Sequence, residues 1–284
     1  MKNKTFLLGI GAQKAGTTWL YDYLKNHPNT DMGFMKEYHI FDALYLNNQQ
    51  IRESYLQGRI NQVVNANQKP KNRDIALLKF LGDTNIYFNY FNNLVTKNPQ
   101  TLLTGDITPS YSALSAETFE QIKHNLKKMG FIVKVVFLMR DPVERCISAS
   151  RMTLRNAGSD NSEETEINHI KQNYASENYC IRTRYDITIK NIEAVFNQNE
   201  IHYTFYEELF TESSIQEICN YLEIPFTQPD FTRRPNKSAT LNSTPEALKL
   251  EIATLYKPVY DFVSERFGQD RIKKVWKNHR LIAA

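Results

Sequence analysis

Gly11-Ala12-Gln13-Lys14-Ala15-Gly16-Thr17-Thr18 is the stretch whose residue types and spacing best suit the binding of an anion. Glycines let backbone N–H groups approach a phosphate closely, and a helix beginning there adds the positive end of its dipole. The spacing, Gly-x4-Gly, is that of a phosphate-binding loop. Where a nucleoside triphosphatase carries a lysine just after the second glycine, this chain has Thr17, and its lysine sits inside the loop as Lys14. A cation there still reaches a phosphate, but from another angle. The simpler alternative is an ordinary glycine turn between a strand and a helix.

Two further groups of residues carry chemical potential. Arg140 closes an apolar run, and Ser148 follows eight residues later. A guanidinium binds phosphate bidentately, so this pair suits a second phosphate, distinct from the one at the glycine loop. Arg140 paired with Asp141 or Glu144, and Ser148 as a plain helical residue, is the alternative. Lys36, Glu37, His39 and Asp42 cluster among the aromatics Tyr38 and Phe41, soon enough after the loop to lie near its ligand.

The elements that must position these groups follow from periodicity. Thr5–Ile10 reads as a buried strand, and Leu20 and Leu24 at helical spacing place a helix directly after the loop. Residues 44–81 are polar and Asn/Gln-rich, with one helix expected around Ile51–Leu56, and read as an insertion on the rim. Asn85–Val95 is an amphipathic helix, Thr101–Asp106 a strand, and Ser115–Met129 a helix ended by Gly130. Phe131–Met139 is the strongest strand signal, after which Asp141 caps and Pro142 opens a helix to about Leu154. An acidic, mobile loop is expected over Asn156–Glu166, with helices at Glu166–Ala175 and Ile181–Phe196. A strand at Ile201–Tyr206, a helix at Ser213–Leu222 and a mostly helical end over Pro245–His279 complete the chain. Strands alternating with helices predict an α/β fold with a central parallel sheet, a P-loop-like strand–loop–helix and helices on both faces. Ligands of such sheets sit at the carboxyl ends of the strands, and Gly11–Thr18, Asp106–Tyr111, Arg140–Ser148 and Tyr206-Glu207 all lie at or just after strand ends, so they should gather on one edge.

The whole chain is compatible with one large domain over 1–284, with acceptor-side insertions near 44–100 and 152–180. Its 35 basic and 31 acidic residues give a net charge of +4, too balanced to predict a nucleic-acid partner. Cys146, Cys180 and Cys219 lack metal-ligand spacing and read as small core residues of a reduced, intracellular protein. No apolar run reaches the roughly 18 residues of a membrane span, so a cytoplasmic protein without a membrane partner is expected.

Several of these stretches resemble one family. Gln13–Trp19 is similar to the 5′-phosphosulfate loop of the sulfotransferases that use 3′-phosphoadenosine 5′-phosphosulfate (PAPS), and Phe137–Arg145 through Ser148 is similar to their 3′-phosphate motif. Phe205–Leu209 resembles the segment that touches adenine. Lys36–Asp42 and Thr108–Tyr111 resemble segments of the heparan-sulfate-type branch and its bacterial counterparts, the first carrying the catalytic carboxylate. The matches keep the family's order from residue 6 to about 209.

The resemblance implies sulfuryl transfer from PAPS, leaving 3′,5′-ADP, to a hydroxyl or amine of a small natural product or saccharide, with no metal. It implies Lys14 beside the leaving phosphate, with Ala15, Gly16, Thr17 and Thr18 cradling it. Trp19 and Tyr206 would lie near adenine, or Trp19 in the core. Arg140 and Ser148 would hold the 3′-phosphate, and Tyr185 would lie near it. Asn236, Lys237 and Ser238 would close over that group or form an exposed basic loop. Glu37 is the expected base, its pKa raised by partial burial, with His39 as rival base or structural histidine. Lys36 would hold sulfuryl oxygens or pair with Glu37, and Asp106 would orient the acceptor or cap a turn. A P-loop kinase or NTPase and a non-catalytic nucleotide-binding protein are the competing readings. Against the first, Leu138-Met139-Arg140-Asp141 presents arginine where a magnesium-binding carboxylate should end the strand.

Overall fold

The computed structural model describes residues 4–64, 71–159, 162–232 and 244–283. Strand β1 (Lys4–Gly11) runs through the glycine loop into helix α1 (Thr17–Lys25), as the apolar run and the Leu20/Leu24 spacing predict. A short β2 (Thr30–Asp31) follows, then α2 (Phe41–Tyr45), α3 (Gln49–Val64), α4 (Asn72–Gly82) and α5 (Thr84–Lys97). Next come β3 (Leu103–Ile107), the 3-10 helix Pro109–Ala113, α6 (Ala116–Lys128), β4 (Phe131–Met139) and α7 (Pro142–Asn156). The chain goes on through α8 (Glu163–Asn173), α9 (Glu177–Cys180), α10 (Tyr185–Glu193), β5 (Ile201–Phe205), α11 (Tyr206–Leu209) and α12 (Glu212–Leu222). It closes with α13 (Glu246–Leu255), α14 (Lys257–Phe267) and α15 (Gln269–Val275).

The strands form one parallel sheet in the order β2-β3-β1-β4-β5. Every residue of β1 after Lys4 and every residue of β4 except Ile132 is buried, so helices cover both faces of the sheet. β1 lies between β3 and β4, and the chain leaves it on one side and later returns on the other. This is the switch point at which open α/β sheets leave a crevice at their carboxyl edge.

Four expectations are corrected. The polar stretch 44–81 holds two helices, not one, and α4 is no rim element, because Leu77 and Phe80 are buried against the aromatic cluster of Tyr38, Tyr87 and Tyr90. Burying a side chain of this size contributes roughly 1.5–3 kcal/mol. α3 adds polar i,i+4 pairs, Gln49 to Glu53 at 2.7 Å and Gln57 to Asn61 at 2.8 Å, which support a helix without an apolar stripe. The helix expected at Ile181 begins only at Tyr185, after the separate turn α9. The loop expected over Asn156–Glu166 is shorter, since Ser162 caps α8 by accepting the Thr165 N–H at 3.3 Å; residues 160 and 161 lie outside the described residues. Cys146 and Cys219 are core residues as expected, but Cys180 is half-buried.

Candidate active site

The carboxyl ends of β1, β3, β4 and β5 open into one cleft of about 350 Å³. The glycine loop and α1 contribute Gln13, Lys14 and Gly16–Trp19 to its wall, α7 contributes Ser148, and Arg140, Tyr206 and Phe210 come from the ends of β4 and β5. Lys36, Glu37, His39, Tyr55 and Ser110 face them from the other side.

At the loop, Gly16 adopts φ 93°, and a Cβ there would come within 2.6 Å of Leu209 Cδ2, so only glycine fits. The Leu20 N–H donates to Gly16 O at 3.1 Å, which makes Gly16 the start of α1. The N–H groups of Thr17, Thr18 and Trp19 therefore have no intrahelical acceptor, and Gly16 has no side chain to cap them. Ala15 differs from the expected cradle. Its N–H donates to Ala12 O at 3.2 Å and its side chain is buried, which takes it out of the cleft. Trp19 is only 5% exposed, stacked with Tyr23 and Phe231 and edge-on to Phe210, so most of the ring belongs to the core.

Arg140 leans over the Tyr206 ring, 4.4 Å from its centroid, and its Nη1 donates to the Lys14 carbonyl at 3.1 Å. The glycine loop and the end of β4 are thereby tied together. Pairing of Arg140 with Asp141 is excluded by geometry. Asp141 caps α7 by accepting the Val143 N–H at 3.0 Å, and it also accepts from Tyr260 Oη at 2.6 Å and the Asn278 N–H at 2.9 Å. Glu144 lies 3.6 Å from Arg140 Nη2, at the outer edge of an ion pair. The buried Nε of Arg140 has no partner among the described residues. Tyr185 is fully buried and donates to the Arg140 carbonyl at 3.0 Å, so it braces the strand end instead of facing a ligand.

On the opposite wall, Tyr38 and Ile40 are buried while Glu37 and His39 line the cleft. The segment hangs from Asp106, which is fully buried at the end of β3. Asp106 accepts from Thr108 Oγ1 (2.6 Å), Tyr111 Oη (2.9 Å) and Tyr87 Oη (3.0 Å). Thr108 Oγ1 in turn accepts the Tyr38 N–H at 3.0 Å, and Tyr111 Oη accepts the Ile40 N–H at 3.2 Å. Asp106 is thus an anchor and does not touch an acceptor. Burial pushes its carboxyl up to about 6 against the three donated hydrogen bonds.

Between them, Glu37 and His39 form a chain of charges. Lys36 Nζ pairs with Glu37 Oε1. His39 Nε2 lies 3.2 Å from Glu37 Oε2, and its Nδ1 lies 2.6 Å from Asp42 Oδ2, which also accepts from Ser110 Oγ. Tyr55 stacks on the imidazole at 4.8 Å, and Arg182 Nη2 donates to the Tyr55 hydroxyl at 2.5 Å.

The expected rise in the pKa of Glu37 is not found. Burial pushes it up, but the hydrogen bond from His39 and the charges of Lys36 and His39 outweigh burial and hold it at about 2. Burial pushes His39 down, while its bonds to Asp42 and Glu37 lift it to about 9, so the imidazole is protonated at neutral pH. Burial and then the charge of Arg155, followed by those of Arg140, Lys36 and Arg145, depress Lys14 to about 8.

Sequence reading missed Tyr55, Met152, Arg155, Asn156 and Phe210, all of which line the cleft. Met152 and Arg155 stand four and seven residues after Ser148, one face of a helix, so that signal was legible. Tyr55 arrives through tertiary packing of α3, and nothing in its neighbourhood announces it. Asn236, Lys237 and Ser238 lie outside the described residues. Among the described residues no cluster of His, Cys, Asp and Glu is placed to hold a metal ion, and no helix is long and apolar enough to cross a membrane.

The fold is thus a parallel α/β sheet with a glycine loop between its first strand and first helix, and an arginine–serine pair follows β4. The chain belongs to the sulfotransferase family, whose model matches residues 7–228. None of the curated proteins compared with the chain matches it. Among solved structures, a sulfotransferase from Alicyclobacillus acidocaldarius is similar in fold, with a TM-score of 0.54 and 15% identity over 93% of this chain and 96% of that one. The sulfotransferase domain of the curacin biosynthetic pathway has a TM-score of 0.44 and 16% identity over 85% of this chain and 82% of its own. A sulfotransferase from Mycobacterium avium has a TM-score of 0.41 and 15% identity over 92% of this chain and 77% of its own.

Proposed function

We propose that this sulfotransferase takes its sulfuryl group from PAPS and passes it to a hydroxyl or amine of a small natural product or saccharide. The observation that carries this reading is the single cleft in which Lys14, the Arg140–Ser148 pair and Glu37 face one another. The residues present fit the donor. Gly16 leaves a cradle that a Cβ would fill, Arg140 keeps a buried Nε unpartnered, and Lys14 has no acidic partner among the described residues. When bound, PAPS supplies an activated sulfuryl group for in-line transfer, with 3′,5′-ADP as the leaving group.

Thr17, Thr18 and the N–H groups at the start of α1 bind the 5′-phosphate. Lys14 would stand beside the oxygen that joins sulfur to phosphorus, where negative charge grows as the sulfur–oxygen bond breaks and the oxygen leaves with the phosphate, and so would stabilise the transition state more than the ground state. Arg140 and Ser148 bind the 3′-phosphate, and Tyr206 with Phe210 offers aromatic surface to the base.

Glu37 takes the proton that the acceptor loses as its oxygen or nitrogen bonds to sulfur. His39 is already protonated, so it orients Glu37 and does not compete with it. Lys36 is the switch in this arrangement. Drawn toward the sulfuryl oxygens, it releases Glu37 Oε1, and with one cation gone the burial of the carboxylate raises its basicity. Tyr55 of α3, with Met152 and Asn156 of α7, receives the acceptor from the regions 44–100 and 152–180.

The test is release of 3′,5′-ADP from PAPS over a panel of phenols, aliphatic amines and saccharides. Acceptor-dependent release that drops about 10²–10³-fold in Lys14→Ala supports the reading. Equal release by the variant would remove Lys14 from the chemistry.

A further inference from the structure

We infer that Arg155, near the carboxyl end of α7, is a further sulfuryl-binding residue that shares the transferred group with Lys14. The inference rests on the PAPS reading and extends it to a residue that no motif of the chain marks.

Ser148, Met152 and Arg155 lie at helical spacing on α7, and all three line the cleft. At about 1.5 Å rise per residue, Arg155 stands roughly 10 Å along the helix from Ser148. On the PAPS reading Ser148 marks the 3′-phosphate end of the cleft, and Arg155, farther along the helix, lines the same cleft as Lys14, Glu37 and Tyr55.

The other cations of the cleft are committed. Lys36 holds Glu37, His39 lies between Glu37 and Asp42, and Arg140 is bonded to the Lys14 carbonyl and faces Glu144. Lys14 and Arg155 have no carboxylate within ion-pair distance among the described residues. They nonetheless repel each other: of the charges acting on the Lys14 ammonium, Arg155 is the strongest, ahead of Arg140. Two unpaired cations held together at the wall of a cleft have one stable complement, an anion between them. A sulfuryl group has three terminal oxygens; the planar fork of an arginine suits two of them, while the lysine serves the bridging oxygen as a point charge.

The experiment is equilibrium binding of PAPS and of 3′,5′-ADP, without acceptor, to the wild type, Arg155→Met and Arg155→Lys. The two nucleotides differ only in the sulfuryl group. Methionine keeps the apolar stem, and 3′,5′-ADP binding reports that the fold and the nucleotide site are intact. The expected result is about a tenfold or greater loss of PAPS affinity in Arg155→Met, with 3′,5′-ADP affinity within about twofold and partial recovery in Arg155→Lys. Equal losses for both nucleotides would make Arg155 a phosphate ligand and overturn the inference. Unchanged PAPS affinity would overturn it too, leaving Arg155 as an acceptor contact or a cation at a helix end. If the wild type binds neither nucleotide, the PAPS reading fails first, and that outcome is distinct from the others.

Discussion

The two walls of the cleft are built on different principles. The donor wall is local: a strand end, a glycine loop and the first turn of α1 arrive in the ten consecutive residues Gly11–Leu20, and Arg140 and Ser148 lie on one short strand–helix junction. The opposite wall is assembled from a distance. Glu37 and His39 owe their positions to Thr108, Ser110 and Tyr111, some 70 residues away, and through Thr108 and Tyr111 to the buried carboxylate of Asp106. Backbone groups dominate on the first side and a chain of titratable side chains on the second. On the proposed reading a phosphate of fixed shape is met by fixed geometry, whereas proton removal needs groups whose charge responds to their neighbours.

If this division is right, variants on the two walls separate rate from nucleotide affinity. The largest effect is expected from Glu37→Gln. Turnover falls about 10²–10⁴-fold, while 3′,5′-ADP binds as before. Near-normal turnover would move the base role elsewhere, and a parallel loss of nucleotide affinity would erase the distinction between the walls. Arg140→Ala has the reverse signature, with 3′,5′-ADP affinity down roughly 10–100-fold. Ser148→Ala loses only a few-fold, the cost of one neutral hydrogen bond. Calorimetric titration of both variants checks this, and unchanged affinity in Arg140→Ala would contradict the second anion site.

A smaller effect sharpens the account of charge. Burial and neighbouring cations hold Lys14 at about 8, and a bound anion favours its charged form. Binding of 3′,5′-ADP should therefore take up a fraction of a proton between about pH 8 and 10, and affinity should fall as pH rises through that range. Titrations at pH 8.5 in buffers of different ionisation enthalpy measure the uptake. It should vanish in Lys14→Met, and persistence there would assign it to another group.

The same contrast explains what could be read in the sequence. The donor wall was legible because loop spacing, strand end and helix start are neighbours in the chain, and β1, α1, β4 and α7 fall where periodicity puts them. Ala15 is the exception, since its N–H turns inward to Ala12, a detail of loop geometry that residue type does not encode. On the other wall the residues Lys36, Glu37 and His39 were legible, but the charge states of Glu37 and His39 were not. Burial alone predicts a raised Glu37, and only the spatial order Lys36–Glu37–His39–Asp42 reverses the sign. Tyr55 and the core role of α4 depend on packing between distant aromatics, which one-dimensional patterns do not reveal.

The central claim, that the loop with its internal lysine binds PAPS and not ATP, is tested most directly by thermal unfolding of the wild type with 3′,5′-ADP and, separately, with ATP and Mg²⁺. At about a hundredfold over its Kd, 3′,5′-ADP adds about 2.7 kcal/mol, a rise of several degrees in Tm for a chain of this size. The account predicts that rise with 3′,5′-ADP and little or none with ATP and Mg²⁺. Stabilisation by ATP and Mg²⁺ alone would contradict it.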